Sequence, residues 1–295
     1  MALSNRSWLV FGFGALGLLG CGGADWDQTA PELDTNDESA ELAAAGTTPK
    51  TFLSLGNSIA FGYNPFNPTP NVPSSFIGYP EVIATKGHKV TNVSCPGETS
   101  SSFFSAAVRD NGCQQFKQFF SLHTDYETTQ AAFVLGLPKK SSYNFITLDI
   151  GANDLFLLQN DCLGDVACIQ AGLPGVLQKY AENLNTGYTQ FKAAGFTGKF
   201  IGLTTYALNY NEPLPVAALT ELNKVLDTFT KQIGGKLADG FGAFKAKAFE
   251  KGGGDACAAG LLIKAPDGVN CDIHPSKDGR ELLATTILKA AGLIK

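Results

Sequence analysis

The sequence predicts an α/β fold, a three-layer α/β/α sandwich around a mainly parallel sheet. Two observations lead to this prediction. Short apolar runs typical of strands alternate along the chain with longer helical stretches, an alternation that favours a parallel sheet covered by helices. The run over residues 144–150 is largely apolar, as expected of a central strand that is buried on both faces.

The predicted elements follow one another from residue 52 to residue 291. Proline at the first position of a helix needs no N–H partner, and Pro80 and Pro215 therefore fit helix starts. The strands are expected at 52–55, 89–94, 144–150 and 199–205, with an edge strand at 235–241. The helices are expected at 80–86, 113–122, 173–194, 215–233 and 278–291.

Three polar stretches follow apolar runs or lie near the C-terminus. Gly56-Asn57-Ser58 ends the first strand and is expected to place Ser58 at the start of a helix. Gly151-Ala152-Asn153-Asp154 ends the third strand, and Asp272-Ile273-His274-Pro275 precedes the last helix. The carboxyl ends of parallel strands share one edge of the sheet, where ligands bind. A serine hydroxyl needs a base to become a nucleophile, and an imidazole suits that task near neutral pH. These stretches therefore predict a serine hydrolase site.

Four short blocks of the chain resemble those of the SGNH/GDSL hydrolase family, whose members carry Ser, Gly, Asn and His in this order. Ser58 lies in Gly-Asn-Ser where the family usually has Gly-Asp-Ser, and Gly97 follows Cys95-Pro96. Asn153 lies in Gly-Ala-Asn-Asp, and His274 precedes Pro275. The resemblance covers roughly residues 50 to 292. It implies a flavodoxin-like sandwich and an esterase or lipase that needs no cofactor.

The resemblance also implies a role for each of these residues. Ser58 would be the nucleophile and His274 its base, while the N–H groups of Ser58 and Gly97 and the amide of Asn153 would form the oxyanion hole. The family's acid usually lies three residues before the histidine, where this chain has Cys271. Pro275 favours an extended backbone before it, and residues two apart in such a segment project to the same face. We therefore expect Asp272 to be the catalytic acid, the alternative being a Ser/His dyad oriented by a backbone carbonyl.

The N-terminus predicts a bacterial lipoprotein. An apolar run after Arg6 suits a signal peptide over residues 1–20, and Leu18-Leu19-Gly20-Cys21 resembles a lipobox with Cys21 as the lipidated residue. Residues 21–50 are acidic and predict a disordered tether, which leaves 51–295 as the hydrolase domain. Such a protein would be held at the bacterial cell envelope by its lipid, at the outer membrane in a Gram-negative host. The alternatives are an ordinary signal peptide, hence secretion, or a retained hydrophobic anchor.

The charge and the cysteine content limit the classes of binding partner and indicate the cellular compartment. The formal net charge of −5 and the lack of a basic run argue against nucleic-acid binding, and the scattered histidines give no zinc spacing. Six cysteines besides Cys21 allow about 15 pairings. Neighbour pairing is favoured, because each bond would then crosslink a loop beside a catalytic block; buried free thiols are the alternative. The predicted disulfides are Cys95 with Cys113, Cys162 with Cys168, and Cys257 with Cys271.

The predicted function is that of a surface-anchored, monomeric serine hydrolase that cleaves carboxylic esters through an acyl-enzyme. Lipid, short-chain and acetylated carbohydrate esters all remain candidate substrates, and the loop 63–73, rich in proline and aromatic residues, would border the cleft. Asn57 and the shifted Asp272 motivate an alternative, a catalytically weakened lipoprotein that binds glycan or lipid. A third hypothesis is that the domain is a structural component of the cell envelope.

Overall fold

A computed structural model describes residues 49–295. The predicted signal peptide, the lipidation site at Cys21 and nearly all of the predicted tether lie outside the described residues. Within the described part, no helix has both the length and the apolar character needed to cross a membrane.

The central sheet has five parallel strands, as the sequence predicts, in the order β2-β1-β3-β4-β5. The chain moves outward from β1 to β2 on one side and then crosses to β3 on the other side of β1, so the strand order reverses between β1 and β3. Ligands bind at such reversal points, outside the carboxyl ends of the strands. The strands are β1 (Thr51–Gly56), β2 (Lys89–Asn92), β3 (Phe145–Asp149), β4 (Lys199–Leu203) and β5 (Lys236–Ala238).

Helices connect the strands and cover both faces of the sheet. Those that the sequence predicted are present, but three further helices, α4, α5 and α8, were missed. The largest boundary difference is in α6, which begins at Val166 because the Asp165 carboxylate accepts a hydrogen bond from the Cys168 N–H at 2.7 Å and caps the helix there. Pro174 therefore lies inside α6. The helices are α1 (Ser58–Phe61), α2 (Tyr79–Thr85), α3 (Cys113–Phe119), α4 (Gln130–Gly136), α5 (Ala152–Asp161), α6 (Val166–Ala193), α7 (Pro213–Gln232), α8 (Gly240–Gly252) and α9 (Lys277–Ala291).

Two apolar layers hold the sandwich together, one on each face of the sheet. Alternate residues of a strand point to opposite faces, so Phe52 and Leu53 of β1 belong to different layers. One layer packs against α2, α8 and α9 through fully buried side chains such as Ile83, Phe244 and Ile287. The other packs against α3, α4, α6 and α7. These layers confirm the predicted α/β/α architecture.

A two-stranded antiparallel hairpin lies outside the main sheet. It consists of β6 (Leu262–Lys264) and β7 (Cys271–Pro275), and β7 leads directly into α9. The extended backbone predicted before Pro275 is therefore confirmed. The hairpin brings the residues of the fourth sequence block onto a strand that contacts α1.

Three disulfide bonds crosslink the domain with the neighbour pairing that the sequence favoured. They join Cys95 to Cys113, Cys162 to Cys168, and Cys257 to Cys271. Such bonds persist in oxidising compartments, which indicates a protein that works outside the cytoplasm.

Candidate active site

Ser58 begins α1 at the carboxyl edge of the sheet. The preceding Gly56 has φ +142°, and a Cβ there would lie 2.2 Å from the carbonyl oxygen of Asp149, so only glycine fits between β1 and β3. Asn57 caps the helix, because its side-chain oxygen accepts a hydrogen bond from the Ile59 N–H at 2.9 Å. Since Asn57 is the cap, the half-buried Ser58 does not use its own hydroxyl for that purpose.

His274 and Asp272 meet on β7. The Nδ1 atom of His274 contacts Oδ1 of Asp272, and the same oxygen accepts a hydrogen bond from the His274 backbone N–H at 3.0 Å. Burial opposes ionisation of Asp272, but these hydrogen bonds and the nearby imidazole outweigh it, so the pKa of the carboxyl lies below its usual value. The ionised carboxylate therefore fixes the proton on Nδ1 and leaves Nε2 free to act as a base.

The helix that begins at Ser58, α1, packs against β7, the strand that carries His274. The ring of Tyr63, which follows α1, lies edge-on to the imidazole, with 5.0 Å between the ring centroids. Within residues 49–295, no hydrogen bond joins the Ser58 hydroxyl to the His274 ring. In enzymes without substrate such bonds are often long and shorten in the substrate complex.

Gly97 lies in a tight turn after β2. Its φ is +83°, and an added Cβ would lie 2.3 Å from the carbonyl oxygen of Asn111, so a side chain there would displace the backbone. The Asn111 N–H donates to the Gly97 carbonyl at 2.8 Å and holds the turn closed. Among the described residues, neither the Gly97 N–H nor the Ser58 N–H donates a hydrogen bond, so neither donor is already used within the domain.

Asn153 is buried in the first turn of α5, and its amide is held at both ends. Its Nδ2 donates to the carbonyl of Glu98 at 2.9 Å, and its Oδ1 accepts from Nδ2 of Asn111 at 2.8 Å. One N–H of the amide remains after the bond to Glu98. The orientation of that N–H is fixed by the two bonds.

Asp154 links the second and third blocks. Its carboxylate accepts from the Ser100 N–H at 2.9 Å and from the Ser100 hydroxyl at 2.7 Å, and Asn183 of α6 donates to the same hydroxyl at 2.9 Å. Burial raises the pKa of Asp154, and the hydrogen bonds from Ser100 oppose that rise. The group fixes the loop after Gly97 against the start of α5.

Sequence reasoning missed several residues that hold the site together. Asn111 orients Asn153 from across the loop. The buried side chain of Gln130 contacts both Gly56 and Glu98. None of these residues belongs to a block, and only their contacts reveal them; the one signal in the sequence is that Glu98 follows Gly97.

The described residues offer one group with the spacing of a metal site, Cys95, Glu98 and Cys113. Its two cysteines are joined in a disulfide and are therefore not thiolate ligands. The group is a poor candidate for a metal centre.

Comparison with known proteins identifies the family and the fold of the chain. A family model described as GDSL-like Lipase/Acylhydrolase matches residues 53–287. No curated protein matches the sequence. An acetyl xylan esterase from Geobacillus stearothermophilus superposes with a TM-score of 0.52 at 16% identity, over 84% of this chain and 97% of that one. An alpha/beta hydrolase enzyme from the metagenome of Lake Arreo, Spain, gives 0.51 at 16% identity, over 84% and 98%. These two structures share the fold.

Proposed function

Because the chain belongs to the GDSL-like lipase/acylhydrolase family and is thus a carboxylic ester hydrolase, we propose that it works through a Ser58 acyl-enzyme. The observation that carries this proposal is the contact between Asp272 and His274 on a strand packed against α1. An imidazole oriented in this way, on a strand packed against α1, would serve as the base that takes the proton of the Ser58 hydroxyl.

The reaction has two halves. Ser58 Oγ attacks the ester carbonyl while His274 Nε2 takes its proton, and the carbonyl oxygen becomes an oxyanion. His274 then gives the proton to the departing alcohol, which leaves the acyl group on Ser58. Water, deprotonated in turn by His274, attacks the acyl-enzyme and releases the acid and the free serine.

The oxyanion hole would consist of three donors: the N–H groups of Ser58 and Gly97 and the remaining N–H of the Asn153 amide. Both backbone donors are free in the described residues, and the amide is held by Glu98 and Asn111. Donors fixed before the reaction stabilise the developing charge without reorganisation, and loss of one typically costs about 2.7 to 4 kcal/mol in the barrier.

Turnover of short-chain esters tests the mechanism. The domain from residue 50 onward should hydrolyse p-nitrophenyl acetate, and Ser58→Ala and His274→Ala should each remove nearly all turnover with the melting temperature retained. The two losses should be similar because nucleophile and base act as a unit. Wild-type activity of Ser58→Ala would falsify the mechanism. Labelling of Ser58 by a fluorophosphonate distinguishes an active hydrolase from a protein that only binds glycan or lipid.

The acyl and alcohol groups of the substrate depend on the rim of the cleft. Tyr63 contacts His274, and exposed apolar side chains of the following loop, Phe66, Val72 and Ile77, provide a surface for an acyl chain or a sugar ring. Acetylated carbohydrate is already among the candidate substrates, and the fold that the chain shares with an acetyl xylan esterase supports testing it. A panel of acetate, octanoate and palmitate esters with acetylated xylan would rank these classes by kcat/KM.

We also propose that the protein is anchored to the membrane by a lipid on Cys21. The three disulfides and the lipobox-like segment support a lipoprotein of the bacterial envelope whose acidic tether, residues 21–50, separates the hydrolase domain 51–295 from the membrane. In the full chain expressed in a bacterium that processes lipoproteins, Cys21→Ser should abolish palmitate labelling and release the protein from the membrane fraction. Equal labelling of the variant would exclude Cys21 as the lipidation site.

A further inference from the structure

Gln130, the first residue of α4, extends a fully buried side chain to the turn before Ser58. Its Oε1 accepts the Gly56 N–H at 2.7 Å, and its Nε2 donates to the Gly56 carbonyl at 3.0 Å. The backbone N–H and the carbonyl of Gly56 are therefore both bonded to a single side chain. Gly56 is also the residue whose backbone packs closely on Asp149 of β3, so its position sets where α1 begins.

The same amide reaches the second block. Nε2 of Gln130 lies 3.2 Å from Oε2 of the buried Glu98, whose other carboxyl oxygen accepts a hydrogen bond from Ser102. Glu98 directly follows Gly97, and its own carbonyl accepts the Asn153 amide at 2.9 Å. The pair Gln130 and Glu98 thus contacts all three segments that would supply donors to the oxyanion hole.

We propose that Gln130 and Glu98 are positioning residues that set the separation between the donors of the oxyanion hole. The inference rests on the proposed function, since it requires an oxyanion at this place. The direction of a backbone N–H group depends on the contacts that fix the surrounding backbone. To stabilise the oxyanion, each donor must lie within about 2.7 to 3.1 Å of it. A buried amide that bonds both Gly56 and Glu98 ties the Ser58 donor to the Gly97 donor.

A purely structural role would give a different result on mutation. If Gln130 merely satisfies buried polar groups, its loss should lower stability and leave the turnover of the folded protein unchanged. If it positions the donors, loss should lower kcat, because the oxyanion exists only in the transition state, and should leave KM nearly unchanged. Measuring kcat and KM separately therefore distinguishes the two roles.

Gln130→Met is the decisive variant, because methionine has a similar length and makes neither bond to Gly56. The matched control is Thr129→Ala, which removes the neighbouring helix cap, a bond at 3.2 Å from the Ala132 N–H to the Thr129 hydroxyl, without touching Gly56. With p-nitrophenyl acetate we expect Gln130→Met to lower kcat by about 10²-fold, with KM changed less than about threefold. Thr129→Ala should lower the melting temperature and keep kcat within about twofold.

Equal kcat for Gln130→Met and wild type, or a loss expressed only in KM, would overturn the proposal. If Gln130→Met does not fold, Gln130→Glu decides by the same criterion, because it keeps the side-chain shape and an acceptor for Gly56 but replaces the amide donor. That variant should lose about tenfold in kcat. Ser58→Ala assayed alongside separates the two hypotheses: an active Ser58→Ala refutes the proposed function, whereas an inactive Ser58→Ala with an unimpaired Gln130→Met refutes only the positioning role.

Discussion

At the scale of single residues, the spacing of two between Asp272 and His274 is explained by the strand that carries them. In β7 both side chains project from one face, so the carboxylate reaches Nδ1 directly. The family's usual spacing of three would place the acid on the opposite face of this strand, where Cys271 forms its disulfide to Cys257 instead. The departure from the family pattern is thus compatible with a triad.

We predict that Asp272→Asn lowers kcat by roughly 10⁴-fold, the loss typical when the acid of a triad becomes an amide and the imidazole tautomer is no longer fixed. The measurement is kcat for p-nitrophenyl acetate, with the melting temperature as a check on folding. Asp267→Asn is the control, because among residues 49–295 the Asp267 carboxylate accepts only from Val269 and Asn270, in an exposed turn of the same hairpin. A dyad would show itself if Asp272→Asn kept more than about a tenth of the wild-type kcat.

Asn57 shows why the second departure from the family pattern is compatible with the fold. The position requires a short side chain with an oxygen that accepts the Ile59 N–H, and asparagine and aspartate both provide one. The Nδ2 atom of Asn57 is buried without a hydrogen-bond partner among the described residues, as is Oδ2 of Asp149. The substitution therefore keeps the cap and leaves a polar atom unsatisfied beside β3.

At the scale of elements, two of the disulfides hold catalytic segments and one does not. Cys95–Cys113 closes the loop that contains Gly97, and Cys257–Cys271 fixes the first residue of β7. Cys162–Cys168 closes only the short connection between α5 and α6. All three bonds lower the conformational entropy of the unfolded chain. In the loop-closure model each one thereby raises the free energy of unfolding by about 2 to 4 kcal/mol.

We predict that the double substitution Cys257→Ser/Cys271→Ser lowers both the melting temperature and kcat, because β7 loses the crosslink beside Asp272. Cys162→Ser/Cys168→Ser is the matched control: it should lower the melting temperature with kcat within about twofold of wild type, since its loop holds no site residue. The measurements are thermal unfolding and turnover of p-nitrophenyl acetate. An undiminished kcat in Cys257→Ser/Cys271→Ser would show that the β6–β7 pairing alone positions β7.

At the scale of the whole molecule, two buried carboxyls make stability depend on pH. Burial raises the pKa of Asp149 to about 7, and burial raises that of Glu98 to about 7 as well, with Ser102 and Gln130 opposing the rise. Unfolded aspartate and glutamate titrate near about 4. Between about pH 4 and pH 7 the folded state therefore holds protons that the unfolded state has released.

The sign follows from this difference in bound protons. Stability contributed by the protonated carboxyls is present below about pH 4 and is lost as the pH rises to about 7, by up to about 1.4 kcal/mol per pH unit for each group. We predict that Asp149→Asn reduces this fall in the free energy of unfolding, measured by urea unfolding at pH 5 and pH 7. Glu127→Gln, at an exposed position, is the control and should follow wild type. An unchanged slope in Asp149→Asn would contradict the pKa assignment.

The sequence by itself determined the five strands of the central sheet, most of the helices, the four site blocks and the extended conformation of β7. Periodicity, proline positions and short polar motifs are local signals. They predicted residues 144–150 as a buried central strand, which the structure has at Phe145–Asp149, and they placed Ser58 at a helix start. The short helix α4, with its cap at Thr129, was missed because a single helical turn or two carries too little periodic pattern to recognise.

Only the tertiary structure decided how the blocks meet. The contact of Asp272 with His274 depends on β7 being a strand, but the approach of His274 to α1, the fixing of Asn153 by Asn111 and Glu98, and the reach of Gln130 to Gly56 are contacts between distant segments. Such contacts are set by the packing of whole elements, not by neighbours in the chain. Buried amides and carboxylates must find partners wherever the fold places them, and no local pattern records which partner that will be.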